Sequence, residues 1–203
     1  MQNELITKVL SNVFQGAPAA LLLASLGWPF AVAGQDRPLD LVESVDLQRY
    51  QGLWYEIARL PNRFQDQCAR NVMAEYALMD NGRIEVVNRC TLSNGDVDEA
   101  RGVARRPDPA REAALKVRFA PRWLSWLPIV WGDYQIMVLA DDYESVLIGA
   151  PSRKYLWILA RKPLLTDSRI DQLKAEAERQ GFDSENMTLT QQDAAGDERS
   201  EQL

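Results

Sequence analysis

From residue 52 to residue 161 the sequence alternates apolar and polar residues in short segments, and turn chemistry separates each segment from the next. "GLWYEIAR" opens the series. "NVMAEYALM" comes second, with Val72, Ala74, Tyr76 and Leu78 on one face. Asn81-Gly82 in "DNGR" suits a type I′ turn joining antiparallel strands. "IEVVNRC" carries Ile84, Val86 and Cys90 on one face, and "SNGD" leads into the more polar "VDEARGVARR". Beyond the break at "RPDPAR", "ALKVRF" sets Leu115, Val117 and Phe119 opposite Lys116 and Arg118. "DYQIMVLA", "SVLIGA" and "YLWILAR" complete the set, split by "DDYE" and "PSRK". Eight strands with tight connections predict an all-β fold, an up-and-down antiparallel sheet. Closing that sheet into a barrel removes both edges. A barrel of this size has room inside for side chains or one small ligand.

One helix is expected. Pro163 stops the eighth strand, and Thr166 or Ser168 caps the helix. "SRIDQLKAEAERQGF" places Ile170, Leu173 and Ala177 on one stripe, and Gly181 ends it. A helix with a single apolar stripe packs on the outside of the barrel. "MTLTQQ" adds a final strand. The polar tail 193–203 reads as disordered.

Residues 1–33 differ from the rest. Glu4 and Lys8 are the only charges before Asp36, and the apolar run ends in Ala31-Val32-Ala33, a small-x-small cleavage pattern. The segment reads as a signal peptide cleaved before Gly34, with an uncleaved membrane anchor as the alternative. No cysteine lies near it, so an anchor built on a lipidated Cys is not expected. Residues 34–45 form a linker and 46–192 the barrel domain. The expected location is outside the cytoplasm, in the periplasm or at the outer-membrane periphery.

Composition narrows the function. A net charge of −6 gives no basic patch for a nucleic-acid partner. The chain has no histidine, which excludes Ser-His-Asp and Cys-His catalysis and any His-containing zinc site. No glycine-rich phosphate loop appears, and neither a cofactor nor a metal is expected. Export makes Cys68 and Cys90 candidates for a disulfide worth roughly 3 kcal/mol, with two buried thiols as the alternative. With a two-residue turn at Asn81-Gly82, Cys90 stands opposite Met73 and Cys68 lies five residues beyond. The sulfurs then meet only if residues 61–70 form a loop folding back over the sheet.

Gly52-x-Trp54 at the first strand, Asp142-Tyr143 in the turn between strands six and seven, and Arg161 at the end of strand eight form a recognisable set. With "GLWYEIAR" and "YLWILARKP", it resembles the lipocalin family and in detail its bacterial branch, from about Asp46 to Gln192. "DDYE" departs from the family's usual Thr-Asp-Tyr. The resemblance implies that Trp54 covers a closed barrel floor with Arg161 across its indole, and that Gly52 leaves room for that contact. It also implies a non-enzymatic carrier of lipids such as fatty acids or lysophospholipids.

The topology then assigns the loops 61–70, 93–96, 120–132 and 150–154 to the open mouth. The third, "APRWLSWLPIVWGD", gathers Trp123, Leu124, Trp126, Leu127 and Trp131 around one charge. It reads as a lid, as a rim dipping into a membrane interface, or as a protein contact. Strand parity gives Tyr76, Phe119, Tyr134, Val138 and Trp157 as cavity walls, with Tyr134 and Trp157 each offering a hydrogen bond. The rival class is a lipid-modifying enzyme. Asp141 and Asp142 sit at the wrong end for that. Glu56, which parity aims inward near Trp54, is the better suspect, and a solvent-facing or floor-bonded carboxylate is the preferred reading of it.

Overall fold

The computed structural model describes residues 37–193, except the side chain of Trp123. The leader or anchor expected at 1–33 and, apart from Asp193, the tail expected at 193–203 lie outside the described residues. Eight antiparallel strands close into a barrel: β1 (Gly52–Arg59), β2 (Cys68–Leu78), β3 (Ile84–Leu92), β4 (Val97–Arg105), β5 (Ala114–Arg118), β6 (Gly132–Leu139), β7 (Ser145–Gly149) and β8 (Leu156–Ala160). Each pairs with its neighbour in sequence, and β1 pairs with both β8 and β2 to complete the circle.

The closing seam is incomplete along its length. β1 and β2 pair only from Gly52↔Tyr76 to Tyr55↔Met73. Above that point a two-residue strand, β9 (Thr188–Leu189), pairs with Ala58 and Arg59 instead. Gln192 Nε2 donates to the carbonyls of both Glu56 and Val72, at 2.9 Å each, and so bridges the two strands. The extra strand therefore supplies backbone partners that the parting strands would otherwise leave unsatisfied.

The alternation of the early strands gives way to continuous burial in β7, where all five residues are buried. The reason is the helix α2 (Asp167–Arg179), capped by Thr166, whose Ile170, Leu173 and Ala177 lie over the outer face of this wall. Ile57, Met137, Leu147 and Ile158 meet it from the barrel side, forming an outer core. An inner core around Trp54, Ile136, Val146 and Ile148 fills the lower barrel. Each fully buried Leu or Ile here contributes about 1.5–3 kcal/mol.

Residues 37–45, part of the linker expected at 34–45, run along the barrel with Leu39 and Val45 buried and Val42 N–H donating to the Ile136 carbonyl. They lead into a second helix, α1 (Leu47–Tyr50), whose N-terminus is capped by the Asp46 carboxylate. Four residues are too few to show a helical period, so the pattern of the chain carries no sign of it.

Three local features correct the expected register. The turn at Asp80-Asn81-Gly82 has three residues, with only Gly82 at positive φ (+74°). It is a type I turn closed by a left-handed glycine, not a two-residue type I′ turn. Met73 consequently faces Arg89, not Cys90. Next, β2 begins at Cys68, and two register shifts between Cys68 and Met73, with Asn71 at φ 53°, draw Cys68 back opposite Leu92. Cys68 and Cys90 are bonded, their Cα atoms 5.5 Å apart. The sulfurs meet because the strand is bulged, with no need for 68–70 to fold back as a loop. The third correction is a bulge in β6 between Ile136 and Val138. It reverses the parity, so that Val138 pairs with Leu147 and packs toward α2 instead of facing the interior.

Candidate functional site

The closed end is built on Trp54, which has 0 % of its surface exposed. Its indole N–H donates to the Tyr50 carbonyl at 2.9 Å, tying α1 across the bottom of the barrel. The Arg161 guanidinium lies 4.0 Å from the Trp54 ring centroid. It donates to the carbonyls of Leu53 (2.9 Å), Arg49 (2.7 Å) and Tyr143 (3.4 Å). Those three acceptors come from β1, α1 and the turn after β6, so one side chain fastens three separate elements. Partial burial lowers the Arg161 pKa from its ordinary value. Gly52 adopts φ +94°, and a Cβ there would stand 3.4 Å from Arg161 Nη1. The backbone conformation favours glycine, while the space would admit a Cβ at ordinary contact distance. Tyr143 completes the floor: its hydroxyl accepts from Asp46 N–H at 2.9 Å and its ring lies beneath Arg49. Asp142 accepts from Glu144 N–H inside the exposed turn. Neither it nor Asp141 lines the interior cavity.

Above this floor a cavity of about 760 Å³ opens toward the loops at the other end. Tyr76, Phe119, Tyr134 and Trp157 line it, and Val138 does not. Phe119 is half exposed at the rim. The wall also takes Tyr50, Ala74, Val86, Leu115 and Ile136, and the Cys68–Cys90 bridge borders it. Of these, Tyr50 is beyond the reach of strand parity because it stands on α1, outside every alternating segment.

Two buried polar clusters interrupt the wall, which also takes polar residues such as Arg63, Asn88, Arg89 and Asp98. The first is a tyrosine triad, in which the Tyr134 hydroxyl lies 2.7 Å from that of Tyr50 and 3.0 Å from that of Tyr76. Burial raises all three pKa values, that of Tyr76 to about 12. The second is centred on Glu56, whose surface is 2 % exposed. Its carboxylate accepts from Arg59 (2.8 Å), Thr190 (2.6 Å) and Gln65 (2.7 Å). The Trp157 indole N–H donates to Gln65 Oε1 at 2.9 Å and is therefore already engaged within the protein.

At the mouth, residues 122–124 and 128–130 form two short 3₁₀ turns. Trp131 is buried beneath the guanidiniums of Arg105 and Arg118, 4.2 and 5.2 Å from its centroid, and donates to the Ser125 carbonyl. It anchors the loop instead of forming its rim. Leu124 and Leu127 are half-buried. Trp126 and Ile129 are 75 % and 91 % exposed, and Phe64 of the neighbouring loop is exposed as well. The side chain of Trp123 lies outside the described residues.

An eight-stranded barrel with one sealed end and one large apolar cavity belongs to the small-ligand-binding barrels. The sequence matches the lipocalin-like domain family over residues 45–192, and the chain belongs to the lipocalin family. It is 38% identical to temperature-induced lipocalin-1 of Arabidopsis thaliana over 78% of this chain and 85% of the relative. Identity to the outer membrane lipoprotein Blc of Escherichia coli K12 is 33%, covering 87% and 93% of the two chains. Among solved structures, insecticyanin from the tobacco hornworm Manduca sexta aligns with a TM-score of 0.59 at 20% identity, over 78% of this chain and 86% of that one. Lipocalins bind small hydrophobic ligands inside the barrel and are generally binding or transport proteins.

Proposed function

We propose that this lipocalin binds fatty acids or lysophospholipids in its barrel and carries them within the cell envelope, without catalysing a reaction on them. The observation that carries the reading is the cavity of about 760 Å³, apolar over most of its wall, sealed by Trp54 and open at the opposite end. Its volume lies in the range of small-molecule sites. Each buried methylene contributes about 0.8 kcal/mol, so an acyl chain reaches useful affinity on area alone. The name of the Escherichia coli relative, an outer membrane lipoprotein, supports an envelope location. Glu56 faces the cavity, but three donors already hold its carboxylate, which suits a structural role better than that of a general base.

The exposed Trp126 and Ile129 favour contact outside the barrel over a lid folded into it. We assign them to a rim that enters a membrane interface, where tryptophan is favoured.

The test is to purify the protein unheated, extract it with solvent and identify bound lipid by mass spectrometry, then to measure fatty-acid displacement of a fluorescent probe. Co-purified lipid and saturable displacement are the expected results. No bound lipid, together with no change in tryptophan emission on titration, overturns the reading.

A further inference from the structure

The tyrosine triad contains a donor that the protein itself does not use. Each tyrosine hydroxyl carries one proton and can also accept. Tyr50, Tyr134 and Tyr76 form a chain of two hydrogen bonds, which consumes two of the three protons in whichever direction they point. Among the described residues these hydroxyls bond only to one another. One proton is left over. Tyr50 and Tyr76 are buried beside Trp54 in the inner core, and all three side chains line the cavity. The remaining donor therefore has only the cavity's occupant to serve.

We propose that the triad seats a neutral oxygen acceptor (a ketone, aldehyde, ester or hydroxyl) at the inner end of an apolar ligand. The proposal rests on the reading that the cavity holds a small apolar ligand, and among such ligands it ranks those that enter with a neutral oxygen first above plain fatty acids and lysophospholipids. Neutral oxygens are favoured over carboxylates because, among the described residues, no unpaired cation stands at the inner end. Of the arginines lining the cavity, Arg63 belongs to the mouth loop and Arg89 is paired with Glu75 and Glu99. Arg161 lies against Trp54 and already serves three backbone carbonyls, while Arg59 is engaged by Glu56. A single neutral donor does not offset the desolvation of a buried carboxylate. The raised tyrosine pKa values express the same resistance of the site to negative charge. A ligand with its only polar group at the mouth would leave the spare proton buried and unpaired, a loss of affinity that the matching oxygen avoids.

The triad also supplies its own control. Replacing Tyr50 or Tyr76 leaves two protons and one bond, and replacing Tyr134 breaks both bonds and leaves two protons unpaired, so single variants do not remove the site. The triple variant Tyr50→Phe/Tyr76→Phe/Tyr134→Phe removes donors and acceptors together and strands no partner, a change close to neutral for folding.

The full chain is loaded with N-phenyl-1-naphthylamine, a neutral apolar probe, which is then displaced by 2-hexadecanone or by palmitate. The ratio of ketone affinity to probe affinity should fall about tenfold in the triple variant, the size expected for one buried hydrogen bond. In the unsubstituted protein, the infrared C=O stretch of bound ketone should lie below its frequency in alkane solvent. A protein that binds the probe but keeps the same ratio overturns the triad assignment alone, as does a C=O stretch at the alkane frequency. So does palmitate binding that depends on the triad as strongly as ketone binding does. A protein that takes up neither probe nor ketone overturns the cavity reading, and the triad falls with it. Should the triple variant not fold, the infrared measurement decides.

Discussion

Each end of the barrel holds a tryptophan beneath a guanidinium, and the two ends use the pairing differently. At the closed end Arg161 covers Trp54 and fastens β1, α1 and the Tyr143 turn through three carbonyls. At the open end Arg105 and Arg118 cover Trp131, which holds a single loop through the Ser125 carbonyl. The floor joins segments far apart in sequence, and its Leu53 and Met79 are only about two-fifths exposed, whereas at the mouth Trp126 and Ile129 stand mostly in solvent. The same aromatic–cation contact thus fixes a wall in one place and presents a surface in the other. What differs is how many other elements the arginine ties down.

Removing the tryptophans should separate the two ends most clearly. Trp54→Ala should cost about 3–5 kcal/mol, as for a large core side chain with nothing to fill its place. Urea denaturation measures it. An equal cost for Trp131→Ala would mean that the two ends are mechanically alike. Next in size is the bridge that borders the cavity above the floor. Cys68→Ala/Cys90→Ala should cost about 3 kcal/mol by the same measurement, and adding reductant to the unsubstituted protein should reproduce that loss.

Alkaline pH probes the cavity between the two ends. Tyr76 is neutral in the folded protein until about pH 12, above the value of about 10 that an unfolded tyrosine shows. The folded state therefore holds its proton longer, and the stability that this contributes is complete below pH ~10 and lost as pH rises to ~12. The loss should be about 2–3 kcal/mol for this group, with Tyr50 and Tyr134 shifted in the same direction. Denaturation midpoints across that window check the sign, and tyrosinate absorbance shows whether ionisation coincides with unfolding. The smallest expected effect on folding belongs to the rim. Trp126→Ala should change stability by no more than about 0.5 kcal/mol yet weaken association with anionic lipid vesicles. Unchanged vesicle association would leave the loop without a membrane role.

Much of the barrel is legible in the chain because alternation has a period of two and each turn announces itself in Gly, Asn, Asp and Pro. Tyr76 and Tyr134 fall on the cavity wall by parity for that reason. Val138 does not, because one inserted residue in β6 flips everything after it, and nothing in "DYQIMVLA" marks the insertion. Tyr50 is hidden because α1 is one turn long. Composition groups Trp131 with Trp126. They part only because two arginines, one on β4 and one ending β5, reach the former.

Local periodicity is enough to set the strand order and the outer helix, while the residues of the floor are legible in the chain only as what the lipocalin resemblance implies. Tertiary structure alone decided which tryptophan is buried, how Cys68 reaches Cys90, and that three hydroxyls from α1, β2 and β6 meet with one proton to spare. Those outcomes depend on bulges and on contacts between segments more than 20 residues apart. A register shift of one residue costs little locally and redirects every side chain beyond it, so no local pattern in the chain encodes it.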